Sequence, residues 1–139
     1  MIGTIIARNQ TISAFEALNR RDLSAHLRDY SDDATYEFPS GVFSSGTFQG
    51  KRAIEGWFAR FFEQFPALRF TLRQVLVENI FALGGTNTVA VAWDFTYTNR
   101  KGTQDTNSGV TVVSIRGGKV RHVRLYIFDP EAQQRAWEE

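Results

Sequence analysis

The alternation of apolar and polar residues is most regular between Val89 and Asp129, where three segments follow one another. The large side chains of the first segment are those of Val89, Val91, Trp93, Phe95 and Tyr97. This period of two is typical of a strand with one buried face. Turn residues at 99–102 and 116–119 separate the segments, so the pattern predicts an antiparallel meander with later strands over about Thr103–Ile115 and Val120–Phe128.

The two turns set the register of this meander. If Gly117-Gly118 forms a two-residue loop, Val110 faces Leu125, and if Arg100-Lys101 centres the other turn, Trp93 faces Ser108. The apolar face then carries Trp93, Phe95, Tyr97, Thr106, Ser108, Val110, Val112, Val123, Leu125 and Ile127. The other face carries Asp94, Thr96, Asp105, Asn107, Thr111, His122, Arg124 and Tyr126. A one-residue bulge would reverse part of this assignment.

Upstream of the meander the pattern changes to helical spacing. A first helix is predicted from Thr4 to about Arg20, and Asp22 suits the N-cap of a short second helix. The clearest helix spans Lys51–Phe65 and ends before a proline. Its apolar stripe consists of Ile54, Trp57, Phe58, Phe61, Phe62 and Phe65. The tail from Glu131 to Glu139 is predicted to add a frayed helical turn.

Turns and extended segments connect these helices. Asp32-Asp33 is predicted to turn the chain before a short strand over Ala34–Phe38. The glycine- and serine-rich segment Val42–Gly50 is interpreted as a loop or an irregular sheet edge. A longer strand is predicted over Arg69–Phe81, followed by a turn at Leu83–Asn87.

Composition narrows the class of protein. The chain has 139 residues, of which 42% are hydrophobic, and this length predicts one domain over residues 1–139. A net charge of +1 gives no broad field that would attract nucleic acid or acidic membranes. Cysteine is absent, which excludes disulfides and cysteine-ligated metals and fits a cytoplasmic location. We therefore expect neither nucleic acid nor a membrane among the partners.

Three segments resemble the nuclear transport factor 2-like superfamily and, within it, the SnoaL-like branch of polyketide cyclase-like and ketosteroid isomerase-like proteins. They are FEALNRRDLSAHLRDYSDDATYEFP at 15–39, FQGKRAIEGWFARFFEQFPALRF at 48–70 and NSGVTVVSIRGGKVRHVRLYIFD at 107–129. The resemblance implies an α+β, cystatin-like fold in which a cone-shaped curved sheet, antiparallel or mixed, has its concave face closed by three N-terminal helices. It also implies an apolar pocket between sheet and helices, and a homodimer.

The catalytic residues of well-known branches do not carry over to this chain. Relative to the steroid isomerases, Phe38 stands at the position of the aspartate base, Ala14 at that of the oxyanion tyrosine and Ser108 at that of the second aspartate. Relative to the limonene-type epoxide hydrolases, Leu125 replaces an aspartate of the last strand. The resemblance therefore predicts a pocket without the usual acid pair.

The predicted pocket draws its lining from the first strand, the third helix and the meander. Its side chains are those of Tyr36, Phe38, Trp57, Phe61, Trp93, Phe95, Ser108, Val110, Val123, Leu125 and Ile127. A large apolar contact area with few polar groups, here Tyr36 and Ser108, is typical of a site for a small, mainly apolar molecule. The Tyr36 hydroxyl either donates to a ligand carbonyl or, as in an ordinary core tyrosine, bonds to the backbone.

A second group of candidate residues lies on the polar face of the meander. Asp94 is predicted to pair opposite Asn107, with His122, Arg124 and Tyr126 nearby. A carboxylate that orients a histidine suits acid-base chemistry. The turn register points this cluster away from the apolar side, as expected of a solvated or dimer-facing surface, whereas a one-residue slip would bring it into the pocket as the active site.

Two classes of function remain open. In one, the protein is an isomerase, cyclase or lyase for a carbonyl or polyketide-type substrate, with Asp94 or Glu37 as the nearest base. In the other, it is a non-catalytic binding or assembly module. His26 is predicted to be exposed, and with two histidines and no cysteine we expect no metal site. The chain has no glycine-rich phosphate loop before a helix, so we expect no cofactor.

Overall fold

A curved six-stranded sheet forms the larger layer of the computed structural model, which describes residues 2–82 and 84–139. The helices are α1 (Ile2–Asn19), α2 (Leu23–Leu27), α3 (Lys51–Gln64) and α4 (Pro130–Ala136). The strands are β1 (Tyr30–Phe38), β2 (Gly46–Gln49), β3 (Ala67–Val77), β4 (Asn87–Thr98), β5 (Gln104–Arg116) and β6 (Lys119–Ile127). In the order β2-β1-β6-β5-β4-β3, β1 runs parallel to β6 and the other neighbours are antiparallel. The predicted α+β class with a mixed sheet is confirmed.

Side-chain hydrogen bonds fix the first three helices against one another and against the sheet. Asp22 caps α2 by accepting from the amide of Ala25 at 3.1 Å, as predicted. Arg21 donates to the carbonyls of Phe62 and Phe65 at the end of α3, each at 2.7 Å. The side chain of Asn19 ties α1 to β3 because it bonds both the amide nitrogen and the carbonyl oxygen of Phe70, at 2.7 and 2.9 Å.

The register of β5 differs from the prediction by one residue on both sides. The β4–β5 loop has three residues, Arg100–Gly102, and is closed by a bond from the Asn99 amide to the Thr103 carbonyl at 2.9 Å. Between β5 and β6, Ser114 pairs with His122 and Ile115 with Val120, so the ladder passes over Arg121 as a bulge. Each irregularity displaces β5 by one residue, and side chains alternate with a period of two, so the strand presents its opposite face.

The faces of β4 and β6 are therefore as predicted, whereas those of β5 are reversed. The buried side of β5 carries Asn107, Gly109, Thr111, Val113 and Ile115. Glycine is needed at position 109 because the Trp93 indole lies over it. A Cβ atom there would come within 2.7 Å of that ring and 2.4 Å of the Tyr126 carbonyl oxygen.

Several element boundaries also differ from the predictions. Asp32 and Asp33 lie within β1 rather than in a turn, since β1 begins at Tyr30. The second half of Val42–Gly50 forms the edge strand β2, and β3 ends at Val77, earlier than predicted. In the turn predicted at 83–87, Leu83 lies outside the described residues.

The C-terminal segment is a docked helix rather than a frayed turn. The side-chain amide nitrogen of Gln64 donates to the backbone carbonyls of Ala136 and Glu138 at 2.7 and 3.0 Å. Asn99 donates to the carbonyl of Ala136 at 3.2 Å, and the Trp137 ring packs among the aromatic side chains of α3 and the sheet. In the described part of the chain, α4 is therefore a helix that follows the sheet in sequence and covers one end of it.

Among the described residues, none of the helices combines the length and the apolar character that crossing a bilayer requires. The cytoplasmic location inferred from the absence of cysteine stays a prediction.

Candidate ligand-binding cavity

A cavity of about 150 Å³ lies between the concave face of the sheet and the helices. Its aromatic lining consists of Phe15, Tyr30, Tyr36, Phe38, Trp57, Phe58, Phe61, Phe65, Phe70, Trp93, Phe95, Tyr97 and Trp137. The lining also reaches the exposed residues Ser13, Arg20 and Arg28, so the cavity opens on the side of α1 and α2. All three tryptophans of the chain belong to the lining.

Trp57 is the centre of the aromatic packing. Its ring lies 4.8 Å from that of Tyr36, 4.9 Å from that of Phe38 and 5.9 Å from that of Trp137, and it stacks on Phe61 at 5.4 Å. The indole nitrogen donates to the carbonyl of Ser44 at 2.9 Å, which satisfies the polar edge of a side chain that is 1% exposed. The wall of the cavity around Trp57 therefore consists of aromatic rings that pack directly against one another.

Most side chains predicted to line a pocket do line this cavity. They are Tyr36, Phe38, Trp57, Phe61, Trp93, Phe95, Val123, Leu125 and Ile127. Ser108 and Val110 were placed wrongly, because the displacement of β5 turns them to the outer face of the sheet. Thr111 takes their place on the inner face and accepts a hydrogen bond from the Trp93 indole nitrogen at 2.9 Å. A ligand-binding role for the lining residues stays a prediction.

Some polar groups of the lining, among them one on Tyr36 and one on Gln133, lack hydrogen-bond partners among the described residues. The Tyr36 hydroxyl makes no hydrogen bond there, although its side chain is 4% exposed, and burial raises its pKa well above the usual range. The side-chain amide nitrogen of Gln133, on α4, is also buried without a partner among those residues. Buried polar groups usually bond to protein or water, so both groups are available to a ligand oxygen.

His26 lies inside the cavity wall, and the prediction of an exposed side chain was wrong. Its Nδ1 donates to the carbonyl of Ala14 at 2.8 Å, while Nε2 faces the hydroxyl of Tyr30 at 3.3 Å. Burial lowers the pKa of His26 to about 4, against the opposing effect of the Ala14 bond, and burial raises the pKa of Tyr30. The sequence signal was the spacing, since His26 follows Leu23 by three positions and precedes Tyr30 by four.

The predicted acid-base candidates lie on the outer face of the sheet and form two separate groups. Asp94 accepts from Ser108 at 2.7 Å and pairs with Arg73 at 2.6 Å, rather than lying opposite Asn107. These two contacts, the serine first, lower the pKa of Asp94. The sheet separates this group from the cavity.

The second outer group is centred on Glu37. Its carboxylate is hydrogen-bonded to Nε2 of His122 and accepts a second hydrogen bond from Nε of Arg124 at 2.9 Å. The hydrogen bonds from His122 and then Arg124 lower the pKa of Glu37. Both carboxylates suggested as a base therefore face away from the cavity. Among the described residues of the lining, the acidic one is Asp29 at the opening, where it pairs with Arg28 at 3.5 Å.

Comparisons with known proteins assign the fold to a family. The family model of the SnoaL-like domain matches residues 12–123, so the chain belongs to the SnoaL-like family. A search of curated proteins finds no significant match.

Solved structures similar to this chain include Bal32a from a soil-derived mobile gene cassette, with a TM-score of 0.85, 19% identity and coverage of 98% of this chain and 99% of that one. TerC, co-crystallised with polyporic acid, has a TM-score of 0.77 at 21% identity, covering 94% and 97%. A putative polyketide cyclase from Xanthomonas campestris pv. campestris has a TM-score of 0.72 at 17% identity, covering 98% and 99%. Identities this low establish a shared fold and nothing finer.

Proposed function

We propose that this protein binds a small, mainly apolar molecule that carries one aromatic ring and a hydrogen-bonding oxygen in the cavity between sheet and helices. The observation that carries the proposal is the hydroxyl of Tyr36, which has no hydrogen-bond partner among the described residues and lies within an aromatic lining. An unpaired O–H in such a lining gains a hydrogen bond when a ligand oxygen reaches it, and it orients that ligand.

The volume of the cavity limits the size of the ligand. Pockets for drug-sized ligands usually enclose about 300–1,000 Å³, whereas a dry cavity of about 150 Å³ holds one benzene ring. The cavity here has about the latter volume. A polyketide-sized substrate would need a side chain such as that of Trp137 to move. TerC, which shares the fold, was co-crystallised with polyporic acid, and this supports the binding of a small organic molecule by a protein of this fold.

The residues that stand at the catalytic positions of the steroid isomerases and epoxide hydrolases support binding without acid-base catalysis by those groups. Ala14, Phe38 and Leu125 line the cavity and offer it methyl, phenyl and isobutyl groups, while Ser108 points out of it. Neither Asp94 nor Glu37 reaches the cavity. An isomerase or cyclase mechanism would therefore need a different proton acceptor.

The test uses the three tryptophans of the lining as reporters. We expect 4-nitroanisole, a single-ring nitroaromatic, to quench their fluorescence in a saturable manner. Leu125→Phe should fill the cavity and abolish the quenching, and Tyr36→Phe should weaken affinity by about three- to tenfold, the usual value of one neutral hydrogen bond. Ile5→Phe, on the exposed side of α1 and outside the lining, is the matched control and should bind like the parent protein.

Quenching that does not saturate, or that is equally strong in the Leu125→Phe variant, would rule out binding in this cavity. If Tyr36→Phe binds with unchanged affinity, the Tyr36 hydroxyl takes no part in recognition and the ligand is bound by apolar contacts alone.

We also propose that the outer face of the sheet forms a homodimer. Val110 and Val112 are half-buried apolar residues there, flanked by the Asp94–Arg73 and Glu37–Arg124 pairs. A face with an apolar centre and charges of both signs can pair with its own copy about a two-fold axis.

Sedimentation velocity tests the dimer. We expect a dimer for the parent protein, a monomer for Val112→Arg and an unchanged dimer for the control Glu63→Arg on the exposed side of α3. A monomeric parent protein would refute this proposal, and a Val112→Arg variant that remains dimeric would place the interface elsewhere.

A further inference from the structure

The cavity contains a group of polar side chains that the proposed binding of an apolar molecule does not require. His26 from α2 and Tyr30 and Tyr36 from β1 all belong to its lining. The ring of Phe58 connects them, since it lies 4.8 Å from the imidazole of His26 and 5.4 Å from the ring of Tyr36. The ring of Tyr30 lies 5.5 Å from the imidazole of His26, so the phenol and the imidazole are neighbours in the wall.

The hydrogen bonds of His26 define which nitrogen is available. The carbonyl of Ala14 can only accept, so Nδ1 carries the proton and Nε2 presents its lone pair. Nε2 faces the Tyr30 hydroxyl at 3.3 Å, which is long for a bond of this kind. A hydroxyl that donates to Nε2 still has lone pairs with which to accept from a ligand.

Among the described residues, no carboxylate bonds or pairs with His26. From α1 it meets the Ala14 carbonyl, from α3 the Phe58 ring and from β1 the neutral phenol of Tyr30. Among the described residues of the lining, the charged groups are Arg20, Arg28 and Asp29 at the opening, where Asp29 is paired with Arg28. A protonated imidazole here therefore needs its counter-ion from elsewhere, and the ligand is the available source.

We infer that His26 and Tyr30 bind the ionised oxygen of an acidic phenol or enol, whose proton is taken up at Nε2 of His26. This inference rests on the proposed ligand-binding function and specifies the chemical class of the ligand. The ligand O–H bond breaks and its proton joins the Tyr30 oxygen, while the Tyr30 proton moves to Nε2. Tyrosine is neutral before and after the transfer, and the products are an imidazolium and a phenolate or enolate. The hydroxyl of Tyr30 then donates to the ligand oxyanion.

The experiment compares 4-nitrophenol with its methyl ether, 4-nitroanisole, at a pH at which free 4-nitrophenol is mostly un-ionised. We expect the phenol to bind at least about tenfold more tightly than the ether and to develop the visible absorption band of the phenolate on binding. His26→Gln should bring the affinity ratio close to one and remove the band. His122→Gln alters the other histidine, on the outer face of the sheet, and should leave both unchanged.

A measurement on the unaltered protein avoids dependence on the folding of a variant. With two histidines in the chain, ¹⁵N shifts of the imidazoles are assigned by comparison with His122→Gln. We expect Nε2 of His26 to be unprotonated in the free protein and both nitrogens to be protonated in the 4-nitrophenol complex. Tyr30→Phe should retain binding of the ether and weaken binding of the phenol.

Equal affinity for phenol and ether, a bound phenol without the phenolate band, or a His26 that remains neutral in the complex would each overturn the inference. In those cases saturable quenching by 4-nitroanisole would still support the proposed binding function. If neither compound quenches the tryptophans, the binding function itself fails.

Discussion

Replacing Trp57 with alanine is expected to lower the free energy of unfolding by about 3–5 kcal/mol, the usual cost of removing a fully buried large aromatic side chain. The side chain is 1% exposed and touches rings from β1, α3 and the segment after α4. Its loss leaves a void among those rings and an unsatisfied carbonyl at Ser44. Because the free energy of unfolding of such domains is about 5–15 kcal/mol, the substitution removes a large part of the total stability.

Chemical denaturation at neutral pH measures this effect. Trp57→Phe keeps much of the ring contact and loses only the bond to Ser44, so it should cost clearly less than Trp57→Ala. The matched control is Phe128→Ala, since the Phe128 side chain is 77% exposed and its loss should change stability by at most about 0.5 kcal/mol. A cost below about 1 kcal/mol for Trp57→Ala would contradict the central role of this ring.

Acidification is expected to destabilise the protein through His26. Burial lowers the pKa of His26 from 6.5 in the unfolded chain to about 4 in the folded protein, so the unfolded state binds more protons between these values. The neutral imidazole therefore stabilises the fold fully above the unfolded pKa, and this contribution is lost as the pH falls toward the folded pKa. The loss between about pH 7.5 and pH 4.5 should be about 2.5 kcal/mol.

Denaturation curves at both pH values, for the parent protein and for His26→Gln, isolate this contribution. Glu37 and Asp94 have lowered pKa values and are partly solvent-exposed, so they add a loss of the same sign at lower pH in both proteins. The difference between the two proteins should therefore report His26. If the parent and His26→Gln lose the same stability on acidification, His26 is not buried in its neutral form.

The sheet illustrates what could be predicted from the sequence and where prediction failed. The alternation along β4 and β6 identified their buried faces because large apolar residues fall on one side of each strand. In β5 both faces carry valines and hydroxyl residues, so its composition could not decide between two registers. The deciding features were a loop one residue longer than assumed and the bulge at Arg121. Neither leaves a clear mark in the residue pattern.

The same limit explains which cavity residues were found and which were missed. Aromatic side chains such as Trp93 and Phe95 were found because they alternate with smaller or polar residues along β4. Among the polar members of the wall, His26 and Gln133 were missed because their types are usually exposed, and Thr111 because the register of β5 was displaced. Their burial follows from where short elements dock, which depends on the whole fold.

The docking of α4 determines how firmly one end of the sheet is covered. The groups that hold its carbonyls, Gln64 and Asn99, are uncharged amides in buried surroundings. Its ion pair with β5, between Arg135 and Asp105 at 3.5 Å, is largely solvent-exposed and contributes little. Because salt screens charges and leaves buried amide bonds almost untouched, the attachment of this helix is nearly independent of ionic strength.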